Sequence, residues 1–246
     1  MSFDVARLRA DNPSPLTLDG TNTWVIGREP CWVVDPGPRL APHVDAVVLE
    51  CETRGGCAGV LVTHDHGDHT EALEDVLRAT GAPLLRPADG ERAGPFTAVA
   101  TPGHSDDHLA FVTEDGLCCT GDAVLGWGSV FVAPQSGALA AYLATLRRLR
   151  AMDLRLLLPG HGPPVEDPAA KLDEYVAHRL DRERKLVAAL DAGARGVEEL
   201  LGAAWDDVPP HLHRAAAVTL ASHLHKLHEE DRLPADVAWP EGLGPA

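Results

Sequence analysis

Residues 64–69 of this 246-residue chain read His-Asp-His-Gly-Asp-His, and the whole chain contains 13 histidines. The cluster directly follows a short apolar run that reads as a buried strand. In an extended segment His64 and His66 project to the same side, because side chains alternate with a period of two residues. A turn into a following helix would re-aim Asp68 and His69. Imidazole nitrogens with a carboxylate suit Zn²⁺ or a similar first-row metal, so the cluster predicts ligands for two neighbouring cations.

Three later segments each place one ligand-type side chain beside a glycine, just past a strand-like run. These side chains are His104, Asp122 and His161. The loops that follow strands in an α/β scaffold gather functional groups. Together with the first cluster, and in this order, the three residues predict a complete two-metal site.

The order and spacing of these ligands resemble the metallo-β-lactamase superfamily over about residues 17–164, with all seven ligand positions occupied. The resemblance implies an α/β fold, an αββα sandwich with two divalent metal ions, expected to be zinc, at one edge. It implies that His64, His66 and His104 hold the first metal. Asp68, His69 and His161 would hold the second metal, and Asp122 would bridge the two. Asp68 and Asp122 are also the expected catalytic residues.

Motifs outside the ligand set narrow the resemblance to the lactamase-β-like protein 2 branch. They are 20–23 (GTNT), 35–37 (DPG), 158–163 (LPGHGP) and 223–227 (HLHKL). Members of that branch carry a small C-terminal helical domain and include single-stranded RNA endonucleases and thioesterase-like enzymes. Asp122 stands where several true lactamases have a cysteine ligand, so lactamase activity is not expected.

The expected activity is hydrolysis by a dinuclear metal centre, with a metal-bridging hydroxide attacking a small ester or thioester. Two alternatives stay open: a metal-dependent single-strand endoribonuclease, and a binding module without activity that docks through a helical tail. The RNA alternative needs a basic groove, and the run 178–185 is the only concentrated basic stretch.

Charge and composition favour a small-molecule substrate over nucleic acid. There are 21 Lys and Arg against 37 Asp and Glu, giving a net charge of −16, which repels polyanions at long range. No apolar run approaches the roughly 18 residues that a membrane helix needs, and no signal-peptide pattern is present. Five scattered cysteines without a Cys-x-x-Cys pair do not resemble a disulfide framework. We therefore expect a cytoplasmic protein without membrane partners.

Strand-like runs alternate with helical ones up to about Leu158, which indicates the α/β class. One of these helices is predicted over 70–80, with Thr70 as its N-cap. Beyond Pro163-Pro164 three helices are predicted, over 167–192, 196–204 and 210–231. The sequence thus predicts a catalytic domain at 1–165 and a helical, winged-helix-like domain at 166–246.

Four other polar residues receive structural roles. Asp65 is hypothesised to accept a hydrogen bond from a ligand imidazole and so fix its tautomer. His108 is expected to be a hydrogen-bonded structural histidine beside a strand. His223 and His225 are expected on the polar face of the last helix.

Overall fold

The computed structural model describes residues 4–209 and 212–245. Within it the chain forms two compact units that interleave along the sequence. The first unit comprises 1–101, 107–130 and 150–169, and the second comprises 102–106, 131–149 and 170–246.

Two sheets make up the first unit. The first sheet has the order β1-β2-β3-β4, with β1 (Val5–Arg9), β2 (Asn22–Ile26), β3 (Cys31–Val34) and β4 (Cys57–Leu61). Its first three strands are antiparallel neighbours, whereas β3 and β4 are parallel. Helix α1 (Ala41–Thr53) connects those two parallel strands, as a parallel crossover requires.

The second sheet has the order β5-β6-β7-β8-β9, with β5 (Arg92–Ala93), β6 (Phe96–Ala100), β7 (Leu109–Thr113), β8 (Leu117–Gly121) and β9 (Leu156–Pro159). Its strands are antiparallel neighbours except β8 and β9, which are parallel. Helix α4 (Ala138–Arg150) lies between β8 and β9 in the sequence.

One apolar core joins the inner faces of the two sheets. Trp24 and Ile26 of β2 pack there with Phe96 and Phe111 of the second sheet. Val25, between those two β2 residues, points to the opposite face and packs with residues of α1. This alternation follows from the period of two along a strand, and it makes the first unit a two-sheet sandwich with helices outside the first sheet.

The turn after the histidine cluster differs from its prediction. The single helix predicted over 70–80 is divided into α2 (Gly67–Thr70) and α3 (Leu73–Thr80). Thr70 therefore ends α2 instead of capping a helix, and its hydroxyl donates to the His66 carbonyl oxygen. The predicted stop at Gly81 is confirmed, since this glycine has a left-handed conformation with φ of 69°.

The C-terminal part of the second unit is helical, with α5 (Pro168–Asp191, in this unit from residue 170), α6 (Val197–Ala204) and α7 (His213–Glu229). Leucines of all three helices share one core. The predicted start of the last helix, Pro210, lies outside the described residues. The prediction that His223 and His225 lie on a polar face of the last helix is wrong: both are buried, His223 against Trp205 and His225 against Trp239. Among the described helices, none has the length and apolarity to cross a bilayer.

Candidate metal centre

Strand ends in the first unit position most of the predicted ligands. The 64–69 cluster follows β4, Asp122 follows β8 and His161 follows β9. Because β8 and β9 are parallel neighbours, their carboxyl ends place Asp122 and His161 side by side. The two sheets are linked at this edge by a bridge between Thr21 and His161.

Two groups of three ligand atoms meet here and share His69. His64, His69 and Asp122 have ligand atoms within 4.8 Å of one another, and so do Asp68, His69 and His161. The His161 Nε2 atom lies 3.3 Å from an oxygen of Asp68 and 3.3 Å from an oxygen of Asp122. The His69 Nε2 atom lies 3.5 Å from an oxygen of each of the same two carboxylates.

The residues present fit a bound divalent cation. His69 is fully buried, and among residues 4–209 and 212–245 its Nε2 atom has no hydrogen-bond partner. Leaving a buried polar atom unsatisfied costs about 1–3 kcal/mol, and a cation at this nitrogen would relieve that cost. The donor set of imidazole nitrogens and carboxylate oxygens is one that zinc and similar first-row metals accept.

The carboxylates and imidazoles of this cluster hold opposite charges. Burial alone would lower the pKa of His161, but hydrogen bonds with Asp122 and Asp68 raise it to about 9. Burial would raise the pKa of Asp68, but the His161 hydrogen bond and the His69 charge lower it to about 2. The pKa of Asp122 is likewise held well below its usual range by His69 and His161, despite burial. The aspartates therefore stay ionised and ready to bind a cation.

Asp35 orients the shared histidine, and the sequence reasoning gave it no such role. Its Oδ2 atom lies 2.9 Å from His69 Nδ1, and the carboxylate also accepts hydrogen bonds from the backbone and the hydroxyl of Thr63. The carboxylate thus favours a proton on Nδ1 and leaves Nε2 to a metal. The hypothesis for Asp65 is wrong, because its side chain is 68% exposed and pairs with Arg86. The Asp-Pro-Gly motif at 35–37 was the sequence signal that could have pointed to the role of Asp35.

His108 is confirmed as a structural histidine. Its Nε2 atom accepts a hydrogen bond from the Asp122 backbone N–H at 3.1 Å, so the ring proton is on Nδ1. That nitrogen lies 2.7 Å from the Thr101 hydroxyl, which accepts the proton. The ring also stacks on His64, with centroids 4.8 Å apart. His108 thereby fixes the backbone from which Asp122 projects.

The motifs 20–23 and 158–163 hold the His161 loop in place. The Asn22 amide donates to the carbonyl oxygens of Pro159 and Gly162, both at 2.8 Å. A methyl group at Gly160 would lie 2.5 Å from Asp122 Oδ1 and 2.7 Å from His69 Cε1. Glycine is therefore needed at position 160 for these two ligands to occupy their places.

Two predicted ligands, His66 and His104, are not members of the two groups of ligand atoms that share His69. His66 is exposed, with its Nδ1 atom 2.9 Å from His64 Nε2. His104 belongs to the second unit, where its Nδ1 atom lies 2.8 Å from the Phe131 carbonyl oxygen. The Thr145 hydroxyl donates to the Pro102 carbonyl of the same loop. The assignment of all seven ligands stays a prediction.

Comparison with known proteins identifies the class. The chain is 30% identical over 93% of its length to the lactamase-like protein adaB of Aspergillus niger, of which it covers 81%. It is 27% identical over 77% of its length to the beta-lactamase-like protein 2 homolog of Caenorhabditis elegans, of which it covers 72%. A third relative, the atrochrysone carboxyl ACP thioesterase nsrC of Aspergillus novofumigatus, is 32% identical over 78% of this chain and 64% of its own. Residues 197–236 match the family described as beta-lactamase associated winged helix domain.

Solved structures agree with these relatives. A metallo-beta-lactamase family protein from Thermus thermophilus aligns with a TM-score of 0.68 and 25% identity over 92% of this chain and 94% of its own. A second protein, solved in a di-iron-bound form, aligns with a TM-score of 0.52 and 25% identity over 63% of this chain and 92% of its own.

The chain belongs to the metallo-β-lactamase superfamily, in the lactamase-β-like protein 2 branch. It is a metallohydrolase of that fold, so the predicted α/β sandwich with a helical appendage is confirmed and the alternative of a binding module without activity is set aside.

Proposed function

We propose that this metallohydrolase is a dinuclear enzyme that hydrolyses small esters or thioesters. The observation that carries the proposal is the group of His69, His161, Asp68 and Asp122, in which each histidine Nε2 faces both carboxylates. Such an arrangement offers ligands to two cations a few ångströms apart. The proposal assigns His64, His66 and His104 to one cation and Asp68, His69 and His161 to the other, with Asp122 between them.

Two bound divalent cations, which we propose to be zinc, would supply a hydroxide nucleophile near neutral pH and polarise the substrate carbonyl. The protein's own residues then have defined tasks. Asp35 holds a proton on His69 Nδ1 and so directs Nε2 to the cation, and His108 fixes the Asp122 backbone. The Thr21 hydroxyl donates to Asp68 Oδ2 at 3.2 Å and so orients this carboxylate in the centre.

A small pocket beside His64 has both apolar and charged walls. Val62, Pro87 and Leu109 line it together with Arg86 and the carboxylates of Asp65 and Asp107. On another side of the centre, Trp127 is 52% exposed and its ring edge packs at Gly162, next to His161. Exposed aromatic surface beside buried ligands favours an acyl chain as the group that is held there. The thioesterase name of one relative favours the same class of substrate.

RNA is the less favoured substrate, because the basic run 178–185 is engaged within the helical unit. Arg179 is 2% exposed, with its guanidinium 5.4 Å from the Tyr142 ring centroid. Arg182 is 5% exposed, donates to the Ala204 carbonyl and pairs with Asp207. Buried or paired cations contribute little to phosphate binding.

The domain boundaries and the cellular compartment are proposed from the sequence. We propose that residues 1–165 form the catalytic domain and residues 166–246 the helical domain. We also propose that the enzyme works in the cytoplasm, because five scattered cysteines without a disulfide pattern suit a reducing compartment.

The test is a comparison of acyl and phosphodiester substrates with zinc-loaded protein. Wild type and Asp122→Asn are assayed on a panel of acyl thioesters and on end-labelled single-stranded RNA. We expect thioester hydrolysis by wild type and a loss of at least about 100-fold in the variant, as removal of a group that stabilises the transition state commonly causes. RNA cleavage without thioester hydrolysis would overturn the proposal.

A further inference from the structure

Three of the five cysteines converge at a place that the histidine–aspartate centre does not use. Cys31 begins β3, Cys51 lies in α1 and Cys57 begins β4. Their sulfur atoms all lie within 4.8 Å of one another. Cys31 and Cys51 are buried, whereas Cys57 is half-buried and is the member of the group that solvent reaches.

Backbone pairing brings the three residues together. Cys31 and Cys57 are register partners in the parallel pair β3–β4. Gly56 connects all three positions, since its N–H donates to the Cys51 carbonyl and its own carbonyl accepts from Cys31 N–H, both at 2.9 Å. Its φ of 100° suits glycine, and the space beyond its Cα atom is open. The thiols are thus held on a rigid frame with an approach from the α1–β4 turn.

The spacing of the sulfur atoms suits a metal ion. With metal–sulfur bonds of about 2.3 Å, three sulfurs around one ion in a plane stand about 4.0 Å apart. The observed group therefore needs to contract by less than about 1 Å, which χ1 adjustments can supply. Sulfur donors alone select soft cations such as Cu(I), whereas the histidine–aspartate centre prefers borderline first-row divalent ions.

Local electrostatics favour an ionised thiol at Cys57, whereas hydrogen bonds within the group and burial raise the pKa values of the Cys31 and Cys51 thiols. Hydrogen bonds from the Cys31 thiol, and then from the Cys51 thiol, lower the pKa of the Cys57 thiol. The buried Arg54 guanidinium adds a fixed positive charge near Cys31. Its hydrogen bonds to the carbonyl oxygens of Asp4 and Gly27 hold it in place. A thiolate at the accessible position is the group that an incoming soft cation would meet first.

We propose that Cys31, Cys51 and Cys57 form a second metal site, which binds one soft monovalent cation of the Cu(I) type through three sulfur atoms. Binding replaces the thiol protons, which leave to solvent, and changes no oxidation state. The inference stands independently of the proposed hydrolase activity. Cys118 and Cys119 are adjacent in β8 and buried, but among the described residues they belong to no such group of three sulfur atoms.

The test is competition for Cu(I) between the reduced protein and bicinchoninate. It is done without oxygen, after a chelator has removed any metal ion bound at the histidine–aspartate centre. Wild type and the control Cys118→Ala should each take up one equivalent. Cys57→Ser should bind Cu(I) more weakly than wild type by over about 100-fold. Removal of a residue that only hydrogen-bonds to a ligand typically weakens metal binding by about 10–100-fold, so the larger loss identifies Cys57 as a ligand. The far-UV circular dichroism spectrum and the thermal unfolding of Cys57→Ser should match those of wild type, which shows that the variant is folded.

A second measurement needs no variant. Iodoacetamide alkylation of Cys57 in wild type, followed by mass spectrometry, should slow at least tenfold when one equivalent of Cu(I) is present. Wild type that fails to compete with bicinchoninate, or Cys57→Ser that competes equally well, would overturn the proposal. So would an alkylation rate that Cu(I) leaves unchanged, and the cluster would then be apolar packing alone.

Discussion

The Asp35 carboxylate lies 2.9 Å from Nδ1 of His69, on the side of the ring opposite to the candidate metal ligand atom. Asp35 directly follows β3, and His69 lies in the helix after β4, so the parallel pairing of these strands creates the contact. Both residues are buried, which keeps water from competing for the carboxylate. The relationship sets the tautomer of a histidine that both candidate ligand groups share.

Replacing this carboxylate should weaken metal binding. In Asp35→Asn the amide keeps the shape but loses the charge, so we expect zinc affinity to fall about 10–100-fold. Competition with a chromogenic chelator measures the change. The matched control is Asp65→Asn, whose exposed side chain pairs with Arg86 and should leave the affinity as it is. Equal affinities of Asp35→Asn and wild type would refute the role given to Asp35.

A methyl group at position 160 should damage the centre without affecting the rest of the fold. Gly160→Ala places Cβ 2.5 Å from Asp122 Oδ1, so one ligand must move, and we expect loss of stoichiometric zinc binding by calorimetry. Gly202→Ala is the control, because this exposed glycine lies inside α6 with open space around it. It should raise the free energy of unfolding by about 0.5–1 kcal/mol. Retention of full zinc binding by Gly160→Ala would contradict the described packing.

Stability should fall in mild acid, partly through His178. Burial, with the charges of Arg179 and Arg182, lowers the pKa of His178 to about 4. Between pH 6.5 and pH 4 the unfolded chain takes up a proton that the folded chain refuses, so stability falls as the pH falls through this window. His178→Gln should make the fall in the free energy of unfolding between neutral pH and pH 5 smaller by about 1–2 kcal/mol. Urea unfolding at about pH 7.5 and pH 5 measures it, and identical pH profiles for variant and wild type would rule out the contribution.

Trp127 should affect substrate binding more than chemistry. Removing its exposed ring in Trp127→Ala should raise KM for a long-chain thioester about 5–10-fold, equivalent to roughly 1 kcal/mol of apolar contact, with kcat little changed. The control is Leu49→Ala, a similarly exposed apolar side chain on α1. Steady-state kinetics with short and long acyl chains decide the point: a KM increase of equal size for both lengths would argue against an acyl contact.

Short sequence motifs predicted the features that depend on only a few neighbouring residues. The candidate ligands and the strands that precede them could be predicted, because a strand followed by a Gly-flanked polar residue spans only a few positions. Sequence reasoning failed where a partner comes from another strand. Asp65 is the orienting carboxylate of the sequence hypothesis, yet in an extended segment its side chain projects away from those of His64 and His66. Asp35, distant in sequence, takes that role through the β3–β4 pairing.

The sequence also did not predict which charged and polar side chains are buried. Arg179 and Arg182 belong to a run that looks like a solvated helix face, but the helical core and Tyr142 enclose them. His223 and His225 are enclosed by tryptophans in the same way. Helical periodicity gives one apolar stripe per helix, and it does not show how far the neighbouring helices extend the buried face.

The sequence by itself determined the superfamily, and it predicted the ligand types, their order and a small substrate in preference to RNA, since these depend on composition and on short motifs. Only the tertiary structure decided which carboxylate orients His69, which cations are buried and that three scattered cysteines form one group. Each of these depends on contacts between residues far apart in the chain. The parallel register of β3 and β4 creates such contacts, and no local pattern encodes that register.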